Sequence, residues 1–294
     1  MIQIDQLSKK YRRGSWALQD VNLTLNEGMI GLLGPNGAGK SSLMRILATL
    51  VKPTFGEVKI HGIPLSNAEE IRKLLGYLPQ QFQVYPQLTG REYLDYVATM
   101  KGIKDSKARK VEVERLLEEV NLTEKAGKKV RTYSGGMKRR LGIAQALIGS
   151  PSVLIVDEPT AGLDPEERVR FRNLLTRYSL GRIVLLSTHI VADIESNCRQ
   201  IAVLDKGKVK LSGQLSDLQT RGEGQVWEGF VTEQQYVELD PMSIVSTRRM
   251  DDGMLCRIIG EEPPHKIDAI SVSPTLEDGY LALLRSSCEE DSWS

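Results

Sequence analysis

Residues 29–41 read MIGLLGPNGAGKS. The first five form an unbroken apolar run of strand length, which suits a parallel strand buried on both faces. The run passes without a break into Gly34, Gly37 and Gly39, then Lys40 and Ser41, and then the helical pattern SLMRILATL. The spacing is that of a P-loop, in the strand-before, helix-after context the loop requires. Its glycines let the backbone wind tightly enough to aim N–H groups at phosphate oxygens. Asn36, Gly37 and Ala38 are expected to supply such groups, and Lys40 a point charge for the outer phosphates. Ser41 offers a hydroxyl to Mg²⁺, and Ser42 completes the expected nucleotide-binding set.

Two more apolar runs of strand length follow, SVLIVDE (152–158) and RIVLLSTH (182–189). They alternate with helical patterns: Met137, Leu141, Ala144, Leu147 and Ile148 mark one helix face. Asp164, Pro165, Glu166 and Glu167 start another helix as N-cap, first residue and acidic first turn. The alternation predicts an α/β fold with a mostly parallel sheet between helices. Before it, IQIDQLSKKY, ALQDVNLTL and FGEVKIHG read as an N-terminal antiparallel β region, with Val21, Leu23 and Leu25 in strict alternation. From about 86 to 150 the character is helical. Thr89 and Glu92 form a capping box, and KVEVERLLEEV reads as a further helix. RGEGQ (221–225) reads as a linker, so the expected domains are 1–220 and a small α+β unit at 226–294. In that unit RRMDDGMLCRII carries a hairpin turn signal, PTLEDGYLALL a helix start, and SSCEEDSWS reads as a frayed tail.

Acids end the second buried strand. In open α/β sheets ligands lie at the carboxyl ends of the strands, so Asp157 is expected to hold a metal through water. Glu158 points elsewhere, with the reach to polarise an attacking water. His189 ends the neighbouring strand and is read as a γ-phosphate contact, while His61 and His265 are read as structural.

Net charge is +1, so no global basic field suggests nucleic acid. Cys198, Cys256 and Cys288 are scattered without C-x-x-C pairing, which fits a reducing compartment better than a disulfide framework or zinc site. No apolar run approaches the ~18–20 residues that span a bilayer, and MIQIDQLSKKYRRG is unlike a secretory signal. The expectation is a soluble chain whose membrane role, if any, comes through a partner.

One stretch resists this reading: YSGGMKRR (133–140) opens a helix with glycines, poor helix formers, and then places three cations where they oppose the macrodipole. The order strand–P-loop–helix, LPQQ, YSGGM, LIVDEP, AGLDP, STH resembles ATP-binding subunits of ABC transporters over about residues 1–220. The resemblance implies an ABC-type nucleotide-binding fold using ATP and Mg²⁺. It makes Tyr11 the aromatic on which adenine stacks, and Gln80 the residue that reaches Mg²⁺ and the attacking water and senses a transmembrane partner. Asp164 becomes an acid communicating between subunits. Ser134, Gly135 and Gly136 would close over the γ-phosphate held by a second subunit's P-loop, which accounts for a second anion-binding helix start. At least two of Lys138, Arg139 and Arg140 are read as a solvated helix face. Tyr133 and Met137 stand where the family usually has Leu and Gln.

YPQLTGREYLDYVATMKGI, SGGMKRRL and PTLEDGYLALL further resemble bacterial exporter ATPases that work with separate permeases. The expected partners are a permease and a second ATP-binding subunit, identical or different, at the cytoplasmic side of the membrane, with no nucleic acid. The competing readings are an importer ATPase with a regulatory C-terminal domain, and a soluble ABC ATPase acting on DNA or ribosomes. About 94 residues between Ser41 and Gly135 leave no room for the long coiled coil of chromosome-type members, and the tandem cassettes of translation-type members are missing.

Overall fold

The computed structural model describes residues 1–291 apart from 13, 159–163 and 266, with backbone alone for 287–291. The chain packs into two compact units, residues 1–190 with 197–212, and residues 191–196 with 213–294.

The first unit is built on a six-stranded sheet in the order Lys208–Gln214, Gln200–Asp205, Gly28–Leu33, Ile183–Thr188, Val153–Asp157, Leu75–Leu78. From Gln200–Asp205 to Leu75–Leu78 every neighbouring pair is parallel. Every residue of Val153–Asp157 and Ile183–Thr188 is buried, which is why those segments lack polar alternation. In the register Leu33 lies beside Thr188, Asp157 beside Ser187 and Leu78 beside Val156. Four strands therefore end at one edge, and the segments holding Gly34, Gln80, Glu158 and His189 leave side by side. Leu75–Leu78, a four-residue strand, lies below the length at which periodicity is readable.

A second, antiparallel sheet runs Trp16–Leu25, Ile2–Lys10, Phe55–Ile60, Ile63–Pro64. Val21, Leu23 and Leu25 alternate inward as expected. They share one core with Leu43, Met44 and Leu47 of the helix Lys40–Leu47 and with Ile155 and Leu185 of the main sheet. Burying each such side chain contributes roughly 1.5–3 kcal/mol, so helix and loop are fixed from beneath.

The helical block contains Gly90–Met100, Ser106–Glu119 and Gly135–Leu147. Thr89 and Glu92 form the reciprocal capping box. Tyr133 is buried and donates its hydroxyl to the Lys125 carbonyl at 2.8 Å. It fits because position 90 is glycine: a Cβ there would lie 2.3 Å from the Tyr133 hydroxyl. The tyrosine is thus a packing element of the block, matched to Gly90.

The second unit holds a four-stranded antiparallel sheet, Ile244–Met250, Gly253–Ile259, Val226–Val231, Ala269–Ser271, and the helix Leu276–Asp291. That helix corrects the frayed-tail reading for SSCEED (286–291), which is helical, while residues 292–294 of that reading lie outside the described set. Asp278, fully buried, accepts from Arg257 Nε and Nη2 and from the Thr275 N–H and hydroxyl. Burial alone would raise its pKa, but those bonds hold it below the ordinary carboxylate range.

Gly90→Ala is expected to lower the melting temperature, and adding Tyr133→Leu to recover part of the loss, because the shorter side chain vacates the space. Tyr133→Phe alone should cost about 1 kcal/mol by removing one hydrogen bond to the Lys125 carbonyl, which keeps the Lys128 N–H. Thermal melts of Gly90→Ala, Tyr133→Leu, their pair and Tyr133→Phe check this, and additive losses in the pair would contradict it.

Candidate active site

The loop between Leu33 and Lys40 is held in a conformation that glycine alone takes without strain. Gly39 has φ 105°, and a Cβ on it would lie 2.4 Å from the Ala17 carbonyl oxygen. At Gly34 the corresponding distance is 2.2 Å, to the Leu204 oxygen. Backbone bonds from Ala38 N–H to Pro35 and from Gly207 N–H to Ala38 brace the loop. The helix Lys40–Leu47 has no side-chain cap at its N-terminus, so its first-turn N–H groups form an anion slot.

The Lys40 ammonium donates to the Gly34 and Pro35 carbonyls at 2.5 and 3.0 Å. Burial pulls its pKa below the ordinary lysine range, partly opposed by the charges of Glu158 and Asp157. Residues 36–42, Ala17, Gln80 and Glu158 line a cleft of about 260 Å³. Tyr11 stands by this loop, half exposed, its hydroxyl 3.3 Å from Ser42 Oγ and its ring under the Lys9 ammonium.

The strand edge supplies the rest. Asp157 is buried, and Ser187 donates its hydroxyl to Oδ1 at 2.5 Å, leaving Oδ2 for another partner. Glu158 has φ 45°, left-handed backbone that costs a non-glycine residue of order 1–3 kcal/mol. Its N–H donates to the Ser187 carbonyl at 3.1 Å. Gln80 Nε2 donates to Glu158 Oε2 at 2.9 Å, and His189 Nδ1 lies 3.0 Å from Oε1. Both carboxylate oxygens are engaged, by side chains from the two neighbouring strand ends. Ser187 was not singled out by the sequence, although a serine two residues before His189 on a buried strand was a readable signal.

Ser41, Gln80 and Asp157 offer a hydroxyl, an amide oxygen and a carboxylate, all hard oxygen donors. Among the described residues no cluster of His, Cys, Asp and Glu forms a metal cage by itself. Such a donor set fits Mg²⁺, which keeps waters and shares its shell with substrate phosphates.

The helix Gly135–Leu147 starts at Ser134, whose Oγ accepts from Met137 N–H. Ser134, Gly135 and Gly136 do not line the P-loop cleft of their own chain, and Ser134 and Gly135 are exposed. Asp164 caps Pro165–Tyr178 by accepting from Glu167 N–H. Pro159 and residues 161–163 of the surrounding motifs lie outside the described set.

The reading of at least two of Lys138, Arg139 and Arg140 as a solvated face is corrected at Arg139 and Arg140. Arg139 is buried and donates to the carbonyls of Pro79, Gln80, Asp157 and Glu158. Arg140 is half-buried, paired with Glu167 at 3.3 Å and donating to the Asn121 carbonyl. Arg139 and Arg140 are thus occupied by carbonyls and an acid beyond the helix, a long-range arrangement with no local sequence signal.

A P-loop, a strand-end acid pair and a glycine-opened helix occupy one sheet edge, and the ABC transporter family model matches residues 18–161. The chain is 36% identical over 246 residues to YxlF, an ABC transporter ATP-binding protein of Bacillus subtilis (strain 168), with 81% of each chain covered. The chain belongs to the ABC transporter ATP-binding family. It is 34% identical over 224 residues to the linearmycin resistance ATP-binding protein LnrL of the same organism, covering 75% of this chain and 71% of LnrL. A dimeric ATP-binding cassette solved in a post-hydrolysis state with ADP and Pi superposes with a TM-score of 0.68 at 29% identity, over 73% of this chain and 98% of that one. The fold is the ABC-type P-loop nucleotide-binding fold, and the ABC subunit is an ATPase coupled to transport. Among the described residues no helix is long and apolar enough to cross a membrane.

Lys40→Ala is expected to weaken ATP binding about 10–100-fold, the value of one or two charge-assisted hydrogen bonds. Gly39→Ala should abolish binding through loop strain while leaving the fold intact. Titration with a fluorescent ATP analogue checks both, and unchanged affinity in either would show that the loop does not hold the phosphates.

Proposed function

We propose that this ABC ATPase subunit powers a separate membrane permease in the direction of export, working as a head-to-tail pair in which each nucleotide lies between one chain's P-loop and the other's Ser134–Gly136. One observation carries the reading: Ser134, Gly135 and Gly136 form a glycine-opened helix start that does not line its own chain's cleft. A second chain is what would give that anion-binding end a phosphate. The dimeric state of the cassette solved with ADP and Pi supports the same arrangement. Export is favoured over import by the similarity to a protein named for linearmycin resistance, together with the YPQLTGREYLDY and SGGMKRRL segments.

In this reading Tyr11 stacks on adenine, and Asn36, Gly37, Ala38, Gly39, Ser42 and the helix N-terminus hold the phosphates, while Lys40 leaves its loop carbonyls for the outer ones. Ser41, Gln80 and Asp157 would hold Mg²⁺, which would supply positive charge against the phosphates. Glu158 takes the proton of the attacking water, His189 steadies Glu158 and the γ-phosphate, and Asp164 relays between subunits. Each Glu158 oxygen carries one bond, to Gln80 or His189, and keeps a second acceptor position for that water. The chain would sit at the cytoplasmic face through its permease. Residues 1–220, with a helical subdomain at about 86–150, form the ATPase domain in this proposal, and 226–294 an appendage that stabilises the dimer.

Glu158→Gln should lower turnover by about 10²–10⁴, as expected for loss of a general base, and accumulate an ATP-bound dimer. The tagged variant, purified from detergent-solubilised native membranes with Mg-ATP, is expected to bring down a polytopic membrane protein. Absence of a trapped dimer with that permease present would refute the arrangement.

A further inference from the structure

The guanidinium of Arg139 lies where two strand ends and one helix meet. Nη1 donates to the carbonyls of Pro79 and Gln80, both at 3.0 Å, just past Leu75–Leu78. Nη2 donates to the carbonyls of Asp157 at 2.9 Å and Glu158 at 2.7 Å, at the end of Val153–Asp157. Each terminal nitrogen thus serves one strand end, a division that a rigid fork of N–H donors permits and a single ammonium does not. The strand ends so joined carry Gln80 and Glu158, whose side chains bond each other at 2.9 Å. One guanidinium therefore holds the backbone of both partners in that bond, including the left-handed residue 158. The helix it belongs to packs closely on the same strand end: a Cβ on Gly142 would lie 2.9 Å from Leu78 Cδ1 and 3.0 Å from Phe82. Ser134–Gly136 begin that helix, about one turn ahead of Arg139.

We propose that Arg139 is a positioning residue that ties the glycine-opened helix to Gln80 and Glu158, so that engagement of Ser134–Gly136 by an outside phosphate shifts both side chains together. Burial of the cation favours this use. Its neighbours are the oxygens of four fixed carbonyls and the charges of Asp157 and Glu158, so movement of the helix cannot leave those carbonyls behind without stranding a buried charge. The inference rests on reading Glu158 as the hydrolytic acid.

The full-length chain tests it through Arg139→Lys, which keeps the charge and loses the fork, with Arg139→Gln, which keeps two N–H donors and loses the charge, in case the lysine variant does not fold. Steady-state ATPase kinetics, fluorescent-ATP titration and thermal melts are read together. The expected result is kcat lower by about 10–100-fold, the size of a small misplacement of reacting groups, with KM and nucleotide affinity within about 2-fold. Wild-type kcat, or a proportionate fall in affinity, turnover and melting temperature, overturns the inference by reducing Arg139 to scaffold. Glu158→Gln run alongside separates the two failures. Undiminished turnover there overturns the reading of Glu158 and the inference with it. Loss there beside wild-type turnover in Arg139→Lys overturns the inference alone.

Discussion

The parallel register of the central sheet is the constraint on which the rest of the nucleotide-handling unit depends. Leu33, Leu78, Asp157 and Thr188 reach the same edge because their strands run the same way and pair without offset gaps. A sheet buried on both faces has few side chains to spare, so its functional groups come from the carboxyl ends of the strands and the segments that follow them. Asp157 at a strand end, Glu158 and His189 just past one, Gln80 two residues on and Lys40 across the P-loop follow that rule although they lie far apart in sequence. Reversing any one strand would move its loop to the far end of the sheet and dismantle the site.

Much of this was legible in the sequence, for physical reasons that differ by element. The strands at 28–33, 153–157 and 183–188 are buried on both faces, and burial on both faces writes a continuous apolar run. The P-loop was legible because backbone that approaches other backbone as closely as Gly34 and Gly39 do admits no Cβ. The capping box at Thr89 and the Asp164 cap use residues within one turn, so both appear as local spacing. Leu75–Leu78 and the buried role of Arg139 were not legible. The first is too short to show a period, and the second is decided by carbonyls 60, 59, 18 and 19 residues away.

The tail of the chain was misread for a related reason. SSCEED is polar enough to pass for solvated coil, yet it continues a helix whose first turns are anchored by Asp278. Once Arg257 and Thr275 satisfy that buried carboxylate, each further helical residue adds one backbone bond without a new nucleation cost. Similar logic joins Tyr133 to Gly90: a departure from the family's usual leucine is matched 43 residues earlier by a missing side chain. Neither arrangement can be inferred from one position alone.

Arg139 and Glu158 show how the edge stores its geometry. Left-handed backbone at a glutamate is unfavourable by itself and persists only where the surroundings over-determine it. Here the residue's N–H is held by Ser187, its carbonyl by Arg139, and its two carboxylate oxygens by Gln80 and His189. Four bonds from three places, the ends of Leu75–Leu78 and Ile183–Thr188 and the helix Gly135–Leu147, thus fix one residue, and the guanidinium is the contact that reaches it from the helical block. A lysine at position 139 would bring the same charge to the same depth but satisfy fewer of the four carbonyls. The residue type, and not merely the charge, follows from the need to hold two strand ends at once.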